Sequence, residues 1–426
     1  MAENRNASKR RIGWREILGP GLITGASDDD PSGIATYSQA GAQFAYGLGW
    51  TMVLTYPLMS AVQMISARIG RVTGHGLVGI LRRHFPRWLT LSVVVLVLVA
   101  NTINIGADLG AMADATALVA GLPGWPFLIL FAAACAGSEV VMRYANYARV
   151  LKWLTLALLA YVITLFLVEV PWDRALSVAL IPEIAPGSAA FTMIVAILGT
   201  TISPYLFFWQ ASEEAEEVQD RDDRHPLKCA PEEGPRELKR IEFDTLAGMA
   251  ASNLVALAII WTTAATLNAN GITDIATPAQ AAEALRPIAG DHASTVFALG
   301  IVGTGLLAVP VLAGSAAYAL GEALRWPVGL DCRPKRAKAF YGTIIAATAI
   351  GALMNFTPIN SIKALFWAAV INGVVAAPVM AVMMVIASRR AIMGEFPVNG
   401  VLRMLGWVAT AVMVTAVMAM ATTSLG

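Results

Sequence analysis

Ser27-Asp28-Asp29-Asp30-Pro31-Ser32-Gly33 interrupts an otherwise apolar segment that is long enough to cross a membrane. A charge at the centre of a bilayer costs several kcal/mol unless it faces a cavity, a partner or a cation. Pro31 has no backbone N–H and pushes Asp30 away from helical geometry, which leaves carbonyl oxygens unpaired at the same depth. Carboxylate and carbonyl oxygens together are ligands for a hard cation, so this stretch predicts a broken helix with a cation site.

The composition indicates a chain that lies largely inside a membrane. Of its 426 residues, 57% are hydrophobic and 14% are charged, whereas soluble domains carry about 25% charged residues. Cys135, Cys229 and Cys332 are scattered, so neither a disulfide nor a zinc site is expected. The sequence has no nucleic-acid motif, no cofactor motif and no nucleophile–base pattern, so it predicts neither an enzyme nor a nucleic-acid-binding protein.

Segments of about 20 mostly apolar residues predict eleven membrane-spanning helices, numbered spans 1 to 11. Their predicted bounds are 17–40, 47–68, 89–118, 126–142, 151–170, 190–217, 244–267, 294–321, 339–355, 361–387 and 400–422. The main alternative is an even number of spans, which would place both termini on the same side of the membrane.

The basic residues set the predicted orientation, because short loops rich in Lys and Arg stay in the cytoplasm. With a cytoplasmic N-terminus, almost all of the 30 Lys and Arg residues fall on the inner side, and Arg174, Arg286 and Lys363 are the exceptions. The sequence therefore predicts an integral protein of the inner or plasma membrane of a prokaryote. Its N-terminus is expected in the cytoplasm and its C-terminus outside.

Two proline-interrupted spans indicate an internal repeat. Span 1 breaks at Asp30-Pro31, and span 6 breaks at Ser203-Pro204, five spans later. Two halves of five spans have opposite orientations in the membrane, as in many secondary transporters. The spans 1 and 6 are then expected to unwind at the membrane midplane and to touch there. We predict a single all-α transmembrane transport domain with a first inverted repeat over 17–170, a second over 190–387, an extra helix over 400–422 and a cytoplasmic loop over 218–243.

The two breaks supply the predicted cation ligands. Asp30 lies at the first break and is the leading candidate for a carboxylate ligand, while Ser27 offers a carbonyl or hydroxyl oxygen. The Thr200 carbonyl and the Ser203 hydroxyl occupy the matching positions at the second break. Because every donor atom is an oxygen, the set favours Mg²⁺, Ca²⁺ or Mn²⁺ over softer metals.

Asp28 and Asp29 are weaker candidates for the same site. Three neighbouring carboxylates resist joint ionisation, and they cannot all bind one ion from a single unwound turn. The alternative is that at least one of them faces an outer vestibule or pairs with a distant residue.

Other polar residues in the spans are candidates for an ion path. Glu213 and Glu214 follow the second break by about three turns and form either an acidic exit path or a solvated helix end. Asp108 lies far from both ends of span 3. Asn372 in span 10 belongs either to the path or to a hydrogen bond between helices.

The two interrupted spans resemble those of the Nramp family of divalent metal transporters. Asp30-Pro31-Ser32-Gly33 and the following Gln39-Ala40-Gly41-Ala42-Gln43-Phe44 are similar to the family's span 1 sequence. Ser203-Pro204-Tyr205 stands at the family's Met-Pro-His motif in span 6. The resemblance covers spans 1 to 11 and implies the LeuT-type fold, with a metal site between the unwound parts of spans 1 and 6.

Departures from the family pattern change what the resemblance implies. Gly33 replaces an Asn ligand, and Ser203 replaces a sulfur ligand. Tyr205 and Gln210 stand at two histidines, and Ala111 at an acid, that belong to the family's proton route. The pattern is most similar to the Nramp-related magnesium transporter branch. That branch implies transport of Mg²⁺ and Mn²⁺ without protons, through a roomier pocket lined by oxygen.

Other functions stay open from the sequence alone. One is proton-coupled import of Mn²⁺ or Fe²⁺, as in the parent family, and another is transport of an amine or an amino acid, since fold does not fix substrate. An ion channel is less favoured, because no repeated filter loop is present. Divalent metal ions and the lipid bilayer are the expected partners, and the metal is expected as a substrate rather than as a cofactor.

Overall fold

The computed structural model describes residues 24–25, 27–141, 155–182, 187–219, 224–330, 332 and 334–425, and every regular element within these ranges is helical. Residues 24, 25, 27 and 28 are helical and precede α1. The α-helices that follow are α1 Pro31–Phe44, α2 Gly49–Thr73, α3 Leu77–His84, α4 Arg87–Ala120, α5 Trp125–Val141, α6 Leu159–Leu167, α7 Trp172–Leu180, α8 Ser188–Thr201, α9 Pro204–Gln219, α10 Gly234–Thr266, α11 Pro278–Glu283, α12 Arg286–Ala289, α13 Ala293–Leu324, α14 Lys338–Met354, α15 Ser361–Ser388, α16 Arg390–Met393 and α17 Gly400–Leu425.

Two helix boundaries occur where the sequence places proline inside an apolar span. Helical residues stop at Asp28 and resume at Pro31, while α8 ends at Thr201 and α9 begins at Pro204. A proline at the first helical position loses no intrahelical hydrogen bond, so both prolines begin a helix. These are the residues at which the sequence predicts breaks, and unwinding at the membrane midplane stays a prediction.

Six helices in the described part of the chain are long and apolar enough to cross a membrane, which is typical of an integral membrane protein. They are Arg87–Ala120, Ser188–Gln219, Pro231–Asn270, Arg286–Leu324, Ser361–Ser388 and Gly400–Ser424. A pair of helices bent by 119°, Leu156–Leu167 and Trp172–Leu180, would make a seventh span. The apolar helices α5 and α14 are shorter, and parts of predicted spans 1, 4 and 5 lie outside the described residues. The count of eleven spans therefore stays a prediction.

Helix α1 is almost entirely buried among other helices. It packs against α10, α15, α8 and α4. The neighbours α8 and α15 approach each other closely at Gly199 and Gly373. A Cβ atom at Gly199 would overlap the carbonyl oxygen of Ala369, so this approach requires glycine. This close packing brings polar groups from several helices to the first break.

The segment predicted as a loop over 218–243 is partly helical. Helix α9 continues to Gln219, and α10 begins at Gly234. The described residues between these helices dock on the end of α2, where the N–H groups of Leu227 and Lys228 each donate to a carbonyl oxygen at 3.2 Å. The helices extend further into this segment than hydropathy predicts, because charged helix turns resemble loop residues in composition.

An ion-pair network holds the docked segment against α2. Arg71, at the end of α2, has a fully buried side chain, and its guanidinium lies 2.8 Å from Glu233 and 3.2 Å from Glu237. On α10, Arg240 lies 2.6 Å from Glu214 of α9. A charge buried in such a network needs its partners, since removing one of them leaves the other uncompensated.

We expect Arg71→Leu to destabilise the protein strongly. Glu237 would lose a buried partner, and breaking a buried ion pair costs about 3–5 kcal/mol. Arg286→Leu is the matched control, because Arg286 pairs with Glu283 at 3.0 Å but both side chains are exposed, and such pairs contribute at most about 1 kcal/mol. Thermal unfolding in detergent measures both variants. Equal unfolding temperatures for the two variants would contradict a stabilising role of the network.

Candidate metal centre

The Asp30 carboxylate joins three helices. Its Oδ1 accepts hydrogen bonds from the Ser32 hydroxyl at 2.6 Å and from the Gly33 N–H at 2.7 Å, which makes Asp30 the N-cap of α1. Its Oδ2 lies 3.0 Å from the Asn104 amide nitrogen of α4 and 3.5 Å from the Tyr205 hydroxyl of α9. Asp30 is only 1% exposed. These donors replace the water that an ionised carboxylate loses on burial.

Tyr205 connects the two helix breaks. Its hydroxyl lies 3.1 Å from the Ser27 carbonyl oxygen and also reaches Asp30. The Ser27 carbonyl, a predicted ligand, therefore faces α9. These contacts confirm the prediction that the two interrupted segments touch.

Asp28 and Asp29 contact α10 through Ser252. The Ser252 hydroxyl lies 2.6 Å from Asp28 Oδ2 and 3.2 Å from Asp29 Oδ1. Both acids are buried, and Asp28 Oδ1 has no hydrogen-bond partner among the described residues. Of the two alternatives, the structure agrees with pairing to a distant residue rather than exposure to a vestibule. Ser252 is not predictable from the sequence, since a lone serine in an apolar span carries no signal of its own.

The predicted ligands at the second break contact each other. The Ser203 hydroxyl lies 2.8 Å from the Gly199 carbonyl oxygen and 2.7 Å from the Thr200 carbonyl oxygen. It therefore pairs with carbonyl groups that the break leaves without a helical partner. The Ser203 hydroxyl oxygen and the Thr200 carbonyl oxygen each keep a lone pair that a cation can use.

Gly33 allows α1 and α8 to approach closely. A Cβ atom at Gly33 would lie 2.8 Å from Thr200 Oγ1 and 3.3 Å from the Tyr37 ring. The extra space expected at Gly33 is therefore taken up by Thr200 in this structure. Gly33 takes part in the site through its backbone N–H, which donates to Asp30.

A second set of polar side chains adjoins Asp30 on α4 and α15. Asn104 Nδ2 lies 3.4 Å from Asp108 Oδ2, and Asn372 Nδ2 lies 3.4 Å from Asn104 Oδ1. Asp108 and Asn372, both predicted as path residues, are thus linked to Asp30 through Asn104. Asn104 is not among the residues predicted from the sequence, although its position four residues before Asp108 places both on one face of α4.

The remaining predicted path residues lie along α9. Gln210 is buried, and both polar atoms of its amide have no partner among the described residues. Glu214 is fully buried and paired with Arg240, so the prediction of a solvated helix end is wrong for Glu214. Glu213 is half-buried. A role of these three residues in an ion path stays a prediction.

The polar groups around Asp30 are oxygen-rich, which suits a hard cation, and few of them are carboxylates. Among the described residues, no three His, Cys, Asp or Glu side chains converge closely enough to hold a metal ion. A cation at Asp30 would therefore complete its coordination with carbonyl, hydroxyl and amide oxygens and with water. Mg²⁺, which dehydrates reluctantly, and Mn²⁺ both accept such ligand sets.

Comparison with known proteins identifies the family. A model of the Nramp family, described as natural resistance-associated macrophage protein-like, matches residues 21–423. The chain belongs to the Nramp family. A divalent metal cation transporter MntH of Chromohalobacter salexigens is 29% identical over 317 residues, which cover 72% of this chain and 70% of that protein. The MntH of Yersinia pestis is 27% identical over 311 residues, which cover 68% of each chain. These relatives are transporters, in agreement with the prediction that this Nramp protein is not an enzyme.

Solved structures show the same fold. A manganese transporter of Eremococcus coleocola has a TM-score of 0.74 and 16% identity, over 99% of this chain and 89% of that one. MhsT in complex with L-phenylalanine has a TM-score of 0.61 and 12% identity, over 100% and 99% of the two chains. Both share the LeuT-type fold that the sequence predicts for this integral membrane protein. At such identities the likeness shows the fold alone.

We expect Gly33→Ala to destabilise the protein less when Thr200 is shortened than in the wild-type background. In the wild-type background the new methyl group would meet Thr200 Oγ1, and overpacking costs about 1–3 kcal/mol. In the Thr200→Ala background the 2.8 Å contact is removed and only the Tyr37 ring, at 3.3 Å, must give way, while Ala is a better helix former than Gly. A four-variant thermal unfolding cycle in detergent measures this coupling. Additive effects of the two substitutions would show that α1 and α8 do not pack closely at Gly33.

Proposed function

We propose that this Nramp protein transports divalent metal cations, both Mg²⁺ and Mn²⁺, by alternating access and without proton coupling. The cation would bind beside Asp30, between the two helix breaks. The single observation that carries this proposal is a buried carboxylate at the start of α1 that contacts α4 and α9, with carbonyl and hydroxyl oxygens nearby. Alternating access would then consist of one group of helices rocking against another around the bound ion.

The donor set supports the choice of hard ions. Asp30, the Ser27 and Thr200 carbonyls and the Ser203 hydroxyl all present oxygen, and no sulfur atom stands at either break. A thioether or thiolate ligand favours softer transition metals over Mg²⁺ and Ca²⁺. Without one, the site is expected to lose discrimination against Mg²⁺, so that Mg²⁺ and Mn²⁺ both become substrates.

The positions of the histidines support transport without protons. The chain contains four His residues, and His75, His84, His225 and His292 all lie in connecting segments or in short helices. Histidine is the side chain whose unperturbed charge changes near neutral pH. Tyr205 and Gln210 stand on α9 instead, and neither side chain exchanges protons readily at neutral pH.

The membrane potential would supply the driving force. Moving a doubly charged ion across 100 mV releases about 4.6 kcal/mol. That free energy, together with the ion gradient, is enough to drive uptake without a second ion. The direction of net transport would then follow the electrochemical gradient of the metal.

The second candidate is a proton-coupled importer of Mn²⁺ or Fe²⁺. It is favoured by the relatives, since those named above are divalent metal cation transporters and a manganese transporter. The third candidate, an amine or amino-acid transporter, rests on the fold shared with MhsT, which was solved with L-phenylalanine. The buried acids at the first break oppose a substrate with its own carboxylate, whereas an amine group could still pair with Asp30.

We expect Asp30→Ala to abolish Mn²⁺ uptake into proteoliposomes. The substitution removes the carboxylate that contacts both breaks, and the doubly charged ion loses its direct charge partner between α1, α4 and α9. Asp291→Asn is the matched control, because Asp291 is an exposed acid far along the chain on a short connecting helix. Uptake is followed with a metal-sensitive dye inside the vesicles. Normal uptake by Asp30→Ala would refute a cation site at Asp30.

We expect Mg²⁺ to compete with Mn²⁺ in the same vesicles, and we expect the internal pH to stay constant during uptake. Both follow from an oxygen-only site without a histidine route for protons. An internal pH probe and an Mg²⁺ titration measure the two effects. Internal acidification in proportion to Mn²⁺ entry would favour the proton-coupled importer. Failure to bind or move either metal, with uptake of an amine instead, would favour the amine transporter.

A further inference from the structure

The Asn104 side chain lies between two buried carboxylates. Its amide nitrogen is 3.0 Å from Asp30 Oδ2 and 3.4 Å from Asp108 Oδ2, and all three residues are at most 1% exposed. Two ionised carboxylates on either side of one group repel each other strongly in a medium of low dielectric constant. The Asn104 amide, the hydroxyl and backbone donors on Asp30 and the Ser32 backbone N–H near Asp108 offer only partial positive charge to compensate them.

Two oxygen atoms beside this pair lack hydrogen-bond partners among the described residues. They are Asp108 Oδ1 and Asn372 Oδ1, on side chains that are fully buried. Buried polar oxygens are nearly always paired with a donor or an ion. Acceptors without donors, next to two carboxylates, therefore indicate a ligand that carries positive charge.

We propose that Asp108 and Asn104 bind the transported cation together with Asp30, so that the ion is shared between carboxylates of α1 and α4. The inference rests on the proposed function and adds two residues to its site. The charges support it, because two carboxylates balance one doubly charged ion. The ligands would be carboxylate and amide oxygens, which are preferred by Mg²⁺ and Mn²⁺.

The contact between the side-chain amides of Asn104 and Asn372 allows Asn104 to adopt one orientation with the cation bound and another without it. Here Asn104 Nδ2 faces Asp30, and Asn104 Oδ1 accepts from Asn372 Nδ2 at 3.4 Å. When both side-chain amides turn over, Asn104 Oδ1 faces the cation and Asn104 Nδ2 donates to Asn372 Oδ1. The contact between the two amides is kept, and the unpartnered oxygen of Asn372 gains a donor.

The alternative role of Asn104 is that of a hydrogen-bond donor that only holds Asp30 in place. The two roles differ in what they predict for Asn104→Asp and Asn104→Leu. An aspartate supplies an oxygen ligand but has no N–H group, and it adds a like charge beside Asp30 and Asp108. If Asn104 is a cation ligand, the Asn104→Asp variant therefore binds metal more tightly than the Asn104→Leu variant. If Asn104 is only a hydrogen-bond donor, the Asn104→Asp variant binds metal less tightly than the Asn104→Leu variant.

The experiment is a titration of the purified full chain in detergent with Mn²⁺ alone, by isothermal titration calorimetry. We expect Asp108→Asn and Asn104→Leu each to weaken Mn²⁺ binding by more than the roughly tenfold to hundredfold that loss of an outer-shell partner costs, and Asn104→Asp to bind more tightly than Asn104→Leu. Asn101→Leu is the matched control. Asn101 lies on the same helix, and its amide nitrogen donates to the Leu312 carbonyl and the Ser315 hydroxyl of α13, at 2.9 Å and 2.6 Å. Its Oδ1, like that of Asn372, has no partner among the described residues, so this control tests an unpartnered oxygen that no hydrogen bond joins to Asp30 or Asp108. The affinity of the Asn101→Leu variant for Mn²⁺ is expected to match that of the wild type.

The outcomes separate this inference from the proposed function. Wild-type affinity in Asp108→Asn and Asn104→Leu, with binding lost in Asp30→Ala, would overturn the inference and leave the proposed function standing. Binding by Asn104→Asp that is weaker than by Asn104→Leu would reduce Asn104 to a positioning residue. Absence of Mn²⁺ and Mg²⁺ binding by the wild type would refute the proposed function itself. Size-exclusion profiles and metal-free unfolding temperatures verify that each variant folds. If Asn104→Leu does not fold, the Mn²⁺ affinity of the nearly isosteric Asp108→Asn variant tests the inference.

Discussion

The buried Asp30 carboxylate is held where water does not reach it, and its hydrogen bonds determine how the surrounding helices are arranged. As the N-cap of α1 it receives the Gly33 N–H and lies at the positive end of the helix dipole. These local donors satisfy one carboxylate oxygen, and the other requires donors from elsewhere in the fold. Asn104 of α4 and Tyr205 of α9 provide them, so α1, α4 and α9 must converge at one point. The cluster exists because a charge cannot remain buried without such partners.

Small residues make that convergence possible. Gly33 lets α1 lie against Thr200 of α8, and Gly199 lets α8 lie against α15. Each close contact brings the backbone of one helix to the polar atoms of the next, which side chains would otherwise keep apart. At Gly33 the same packing leaves no room for a larger side chain, because an added Cβ atom would lie 2.8 Å from Thr200 Oγ1.

The parts of this structure that were predictable from sequence are those with local causes. Pro31 and Pro204 act on their immediate neighbours, so both breaks could be located to within a residue or two. Asn104 and Ser252 could not be found in that way, because their hydrogen bonds to the first break join residues 74 and 224 positions apart. The partners of Arg71 could not be predicted from the sequence for the same reason. It appears in the sequence as one of several basic residues at a helix end, and only the folded chain brings Glu233 and Glu237 to it.

Two helices carry both the candidate metal centre and the ion-pair network. On α9, Tyr205 contacts the first break and Glu214 pairs with Arg240, and nine residues of helix separate them by about 14 Å. On α10, Ser252 contacts Asp28 and Arg240 belongs to the network. A straight helix moves as a unit, because its backbone hydrogen bonds resist local stretching. Any shift of α9 that withdraws Tyr205 from Ser27 therefore also changes the position of Glu214. The candidate metal centre and the ion-pair network therefore share α9 and α10, with about two to three helical turns between them on each helix.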